Sequence, residues 1–112
     1  MNSITKFDID KSFGKVIKEY RLKKGFTQED LAESLEISLK YISRVENGYS
    51  GLKTETLIKC MNILGIAPNI LYRDFITNQD AVEQVKICNK LSKLSPEKIN
   101  FVDNMIDLLA NF

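Results

Sequence analysis

Only Glu36 and Ile37 separate the helical pattern that ends at Leu35 from the next one, which Ser38 opens. So short a joint forces a sharp turn instead of an antiparallel helical hairpin. Comparable punctuation recurs along the chain. A first helix is expected from about Asp10 or Ser12 to Lys24, with Phe13, Val16, Ile17 and Tyr20 on one stripe and Gly25 as its left-handed terminator. Thr27 caps a second helix, with Asp30 at the capping-box position and Leu31, Ala32 and Leu35 facing inward. Ser38 caps a third, Leu39 to Glu46, whose Ile42 and Val45 point inward and which stops at Asn47-Gly48. Thr54 is expected to cap a fourth helix to Leu64, with Leu57, Ile58, Met61 and Leu64 inward and Gly65 closing it. Pro68 opens a short fifth helix to about Arg73, contributing Ile70 and Leu71. A sixth helix is expected over about Asp80 to Leu94, and Ser95-Pro96-Glu97 starts a last one to about Asn111. Strand alternation is missing, so the expected fold class is all-α. The expected organisation is a five-helix domain over 1–73, a linker over 74–78 and a two-helix hairpin over 79–112.

Hydrophobic residues make up 44% of the 112 positions and charged residues 28%, the composition of a globular protein and too apolar for disorder. No apolar run approaches the roughly 20 residues needed to span a bilayer, and Met1 to Asp10 does not read as a signal sequence, so a cytoplasmic location and no membrane partner are expected. The net charge of +1 conceals an asymmetry. Through Arg73 there are twelve basic and nine acidic residues, a balance of +3, whereas from Asp74 onward four basic and six acidic residues give −2. The first part suits a polyanion and the second does not. Cys60 and Cys88 each lie in an apolar helical pattern with no second ligand nearby, and read as buried free thiols of a reducing compartment. Histidine is absent, as are a Gly-rich phosphate loop, HExxH, a Cys cluster and a nucleophile with a plausible base. Neither enzymatic chemistry nor a metal or cofactor is expected.

The stretch Gly25-Phe26-Thr27-Gln28-Glu29-Asp30-Leu31-Ala32, then Ile37-Ser38, then Tyr41-Ile42-Ser43-Arg44-Val45-Glu46-Asn47-Gly48 resembles the phage-repressor and Cro type of helix-turn-helix, the XRE family. The resemblance covers roughly residues 10 to 73. It implies a DNA-binding domain whose third helix lies in the major groove of a two-half-site operator. In that geometry the solvent-facing residues near the start of the recognition helix reach base edges, which here are Ser38, Leu39, Lys40, Ser43 and Arg44. Lys40 and Arg44 can donate to guanine, whereas Leu39 offers only apolar contact, as to a thymine methyl. Gln28, beside the unsatisfied N–H groups of a helix start, suits a phosphate. By resemblance, Thr27, Gln28 and Asn47 match positions that touch the sugar-phosphate backbone, with Tyr41 and Lys53 as weaker phosphate candidates, and Arg21 is implied to pair with Glu46. Two features depart from the family pattern. Glu36 stands where Gly is usual in the turn, at a cost of roughly 1 kcal/mol if its φ is positive. Tyr49-Ser50-Gly51-Leu52-Lys53 offers one charge and no Pro where basic residues and a Pro are common, which points to modest affinity.

The last two helices carry more apolar surface than each can hide against the other. Val82, Val85 and Leu91 on the sixth and Phe101, Val102, Met105, Ile106, Leu109 and Phe112 on the seventh form a candidate dimer interface. Docking onto the first module, self-association of two hairpins, or capture by a protein antagonist would each cover it. Self-association is favoured, because a two-half-site operator needs a two-fold symmetric reader. The expected function is a sequence-specific, double-stranded-DNA-binding regulator of transcription, a repressor that binds a two-half-site operator as a dimer. The alternative is an antitoxin-like or regulatory subunit whose hairpin binds a partner protein and whose DNA binding is autoregulatory.

Overall fold

The computed structural model describes residues 3–111, apart from the side chain of Val85. Seven α-helices and no strand occur among the described residues: α1 Lys6–Lys24, α2 Gln28–Leu35, α3 Leu39–Glu46, α4 Thr54–Leu64, α5 Pro68–Tyr72, α6 Gln79–Ser92 and α7 Pro96–Ala110. The chain forms two units, Met1–Phe75 and Ile76–Phe112. None of the helices is long and apolar enough to cross a membrane.

In the first unit α1 packs against α3, α4 and α5, and α2 packs against α3 and α4. The shared core is built from Ile17 of α1, Leu31 and Leu35 of α2, Ile42 and Val45 of α3, Leu57, Cys60 and Leu64 of α4, and Leu71 of α5. Each such aliphatic side chain withdrawn from water contributes about 1.5 to 3 kcal/mol. Phe13, Val16 and Tyr20 are only half-buried, packed on the rim of that core. At Gly14 the backbones of α1 and α3 meet: a Cβ there would lie 2.1 Å from the Val45 carbonyl oxygen.

Four helix ends close with the same device. Gly25, Glu36, Gly48 and Gly65 all take left-handed φ, and the chain then folds back: Phe26 N–H donates to the Arg21 carbonyl, Ile37 to Ala32, Tyr49 to Arg44 and Ile66 to Met61. These bonds satisfy carbonyls that the helix ends would otherwise leave bare. Glu36, at φ 57°, is the one non-glycine residue with positive φ among the described residues, so the turn keeps its left-handed residue without a glycine.

Several boundaries differ from the sequence reading. α1 starts at Lys6, ahead of Asp10 or Ser12, because Thr5 and Asp8 form a capping box: Asp8 N–H donates to Thr5 Oγ1 and Thr5 N–H donates to Asp8 Oδ2, each at 3.1 Å. That extra turn is held by its cap and by the Lys6–Asp10 ion pair at 2.6 Å, while Phe7 is exposed and Ile9 only half-buried, so apolar periodicity does not reveal it. In α4 the N-cap is Lys53, without a side-chain cap, and Thr54 is already helical. Ile58 is 54% exposed while Cys60 is fully buried. Leu57, Cys60 and Leu64 follow the i, i+3, i+7 stripe, and Ile58 lies about 100° around from Leu57. α6 begins at Gln79, where Asn78 accepts from the Asp80 and Ala81 N–H groups.

In the second unit no described residue is fully buried. Val82, Leu91 and Val102 are half-buried, whereas Phe101, Met105, Ile106 and Leu109 are exposed. Phe112 and the Val85 side chain lie outside the described residues. Cys88 is exposed, contrary to its reading as a buried thiol, since an apolar helix position is buried only where another element covers it. Cys60 keeps that reading. Burial, and then the Glu46 carboxylate, push its thiol up to about 11.

Candidate nucleic-acid interface

The first turn of α3 is set by Ser38, whose Oγ accepts the Tyr41 N–H at 3.0 Å. With Ile42 and Val45 turned into the core, helical spacing carries positions 39, 40, 43, 44 and 47 round to the outer face. Leu39 is 44% exposed, Lys40, Arg44 and Asn47 are exposed, and Ser43 is half-buried between them. Ser38, at the end of this face, is also exposed, and its hydroxyl hydrogen remains to be donated outward.

Behind that face lies a buried polar network. Arg21 Nε donates to Glu46 Oε2 at 2.7 Å and Nη2 to Oε1 at 3.0 Å, while Nη1 donates to the Phe26 carbonyl at 2.8 Å. The fork ties α1, the turn before α2 and the end of α3 to one guanidinium, a geometry that an ammonium does not reproduce. Gln28 belongs to it too: its Nε2 donates to Glu46 Oε1 at 3.1 Å. One amide hydrogen of Gln28 is therefore committed inward, and only the second is left for an anion.

Thr27 caps α2 as expected. Asp30 N–H donates to Thr27 Oγ1 at 3.0 Å and Thr27 N–H donates to Asp30 Oδ2 at 2.8 Å. Backbone and then side-chain hydrogen bonds from Thr27 hold the Asp30 carboxyl below its ordinary value of 3.8. Lys53 is exposed at the start of α4. Tyr41 does something the sequence reading missed: its hydroxyl donates to the Gly51 carbonyl and so pins the loop that follows α3. A phosphate needs a donor, and the single proton of that hydroxyl is already given away.

The loop after α3 also supplies partners for Arg44. Arg44 Nε donates to Ser50 Oγ at 3.3 Å, and its Cζ stands 5.8 Å from the centroid of the Tyr49 ring. Neither Tyr49 nor Ser50 was a candidate, although the left-handed Gly48 that brings residue 49 back onto the helix end was legible in Asn47-Gly48. Among the described residues no group of three or more Cys, Asp or Glu could hold a metal ion.

A tight turn between α2 and α3, an outward α3 face and a buried brace joining α1 to α3 define a known arrangement, and the helix-turn-helix family model matches residues 17–71. The chain belongs to the XRE-type helix-turn-helix family. It is 33% identical over 88 residues to the HTH-type transcriptional regulator ImmR of Bacillus subtilis (strain 168). That alignment takes in 79% of this chain but 65% of ImmR, so the chain spans just under two thirds of that relative's length. Among solved structures, a mutant of the restriction-modification controller protein C.Esp1396I is 30% identical, with a TM-score of 0.52 over 61% of this chain and 96% of that one. The clp gene regulator ClgR from C. glutamicum is 28% identical, with a TM-score of 0.53 over 56% of this chain and 82% of that one. The matched helix-turn-helix segment runs from Ile17, in α1, to Leu71, in α5.

Proposed function

We propose that this chain is a sequence-specific regulator of transcription, a repressor that binds a two-half-site operator as a dimer and acts by occupancy. The observation that carries the reading is the outward face of α3, where Leu39, Lys40, Ser43 and Arg44 stand together in front of a rigid brace. In the major groove, Lys40 and Arg44 donate to guanine O6 and N7, Leu39 packs on a thymine methyl, and Ser38 and Ser43 offer hydroxyls. Thr27, the remaining amide hydrogen of Gln28, Asn47 and Lys53 hold phosphates on either side. The similarity to a transcriptional regulator and to a controller protein supports the same class.

The second unit supplies the two-fold partner. α7 has no buried residue, and Phe101 and Leu109 are 66% and 65% exposed. A second copy brings the same apolar face to this one, and the polar positions Asn100, Asp103, Asn104 and Asp107 remain on the opposite side in water. Selection of bound duplexes from a random DNA pool tests the reading. It is expected to enrich a two-fold symmetric sequence, and retention of all sequences alike would overturn it.

A further inference from the structure

Building on the DNA-binding reading above, we propose that Tyr49 and Ser50 are positioning residues that aim Arg44, so that its two terminal nitrogens meet one guanine. The chain around them is fixed by the backbone. With Gly48 at φ 82°, its N–H donates to the Val45 carbonyl at 3.1 Å and the Tyr49 N–H donates to the Arg44 carbonyl at 2.9 Å. That closure returns residue 49 to the turn of α3 that bears Arg44. Tyr41 holds the far side of the loop through the Gly51 carbonyl. Ser50 is thus delivered to the Nε edge of the guanidinium, 3.3 Å away, while the Tyr49 ring lies 5.8 Å from Cζ.

An arginine can grip guanine through Nε and one terminal nitrogen, or end-on through both terminal nitrogens. Ser50 occupies the first edge and leaves the second. The Tyr49 ring, 70% exposed and outside the core, limits the side chain's rotamers before DNA arrives, which lowers the entropy lost on contact. The loop after α3 therefore acts on specificity through Arg44.

The test uses the full chain and the duplex enriched from a random pool, with the Arg44-dependent position defined as the one at which R44A loses its preference. At that guanine, Y49A is expected to lower discrimination against adenine about two- to five-fold, the range of an exposed cation–π contact, and S50A by a similar factor through its lost hydrogen bond. Preferences elsewhere stay unchanged, Y49F retains discrimination, and Y49A added to R44A produces no further loss there. Equal thermal midpoints confirm that the variants are folded. Weaker binding of all duplexes alike by Y49A, or a loss in Y49F as large as in Y49A, overturns the proposal. Relaxed preference in R44A with full discrimination in Y49A and S50A overturns the positioning alone. An R44A protein with every preference intact removes the base-reading role and the positioning with it.

Discussion

Arg44 and Lys53 are both exposed cations of the first unit, and the proposed function gives them different parts of a duplex. On this reading Arg44→Ala removes a bidentate base contact, relaxing preference at one position by about 1 to 3 kcal/mol. Lys53→Ala instead weakens all sequences alike and lowers the salt slope of binding by about 1. Fluorescence titrations against matched and mismatched duplexes at several salt concentrations check both. Arg44 itself was legible, because Ile42 and Val45 fix which face of α3 is outward. Its partners were not: Ser50 and Tyr49 reach it only through the Gly48 turn, and a side chain's neighbours across a turn leave no mark in helical periodicity. Tyr41 shows the converse, a polar residue near the expected surface whose proton is spent on the Gly51 carbonyl.

Helix ends carry the fold of the first unit. Thr27, Ser38, Gly25, Gly48 and Gly65 were readable as caps because each does its work within a few residues of itself. The capping box of Thr5 and Asp8 escaped notice because no apolar stripe follows it at once, and Ile58 was misplaced because an apolar residue just off the buried stripe looks the same in sequence as one on it. Glu36 holds a left-handed conformation at the C-terminus of α2, where both its Cβ and its negative charge are unfavourable. Glu36→Gly should therefore stabilise the protein by about 0.5 to 1 kcal/mol, despite the entropy that glycine adds to the unfolded chain. Gly14 behaves in the opposite way. Alanine is a better helix former by about 1 kcal/mol, but its Cβ would strike the Val45 carbonyl oxygen. Overpacking of that contact should make Gly14→Ala a net loss of about 1 to 3 kcal/mol. Urea unfolding of the two variants against the parent measures both signs.

The chain is built from a unit with its own core and a second unit in which no described residue is buried, and the net charge is +2 over 1–75 and −1 over 76–112. Helix count and the exposed faces of α6 and α7 were visible in the sequence, since amphipathic width is a local property; which surface covers those faces is not. If a second copy covers them, a fragment ending at Phe75 should stay folded but bind operator about 10² to 10⁴ less tightly than the full chain, the gain expected from linking two half-site contacts. Leu109→Asp in the full chain should have the same effect by placing a charge in the interface, and light scattering should show a monomer in both cases. Two recognition helices in one dimer meet the major groove about 34 to 36 Å apart, or 10 to 10.5 base pairs. The decisive measurement is affinity for a series of duplexes that carry the two selected half-sites at increasing separation. The account predicts tightest binding when the half-sites are about one helical turn apart centre to centre, and a fall towards single-half-site affinity when about five base pairs are inserted and the second site turns to the far side of the duplex. Affinity that stays constant at every separation would contradict it.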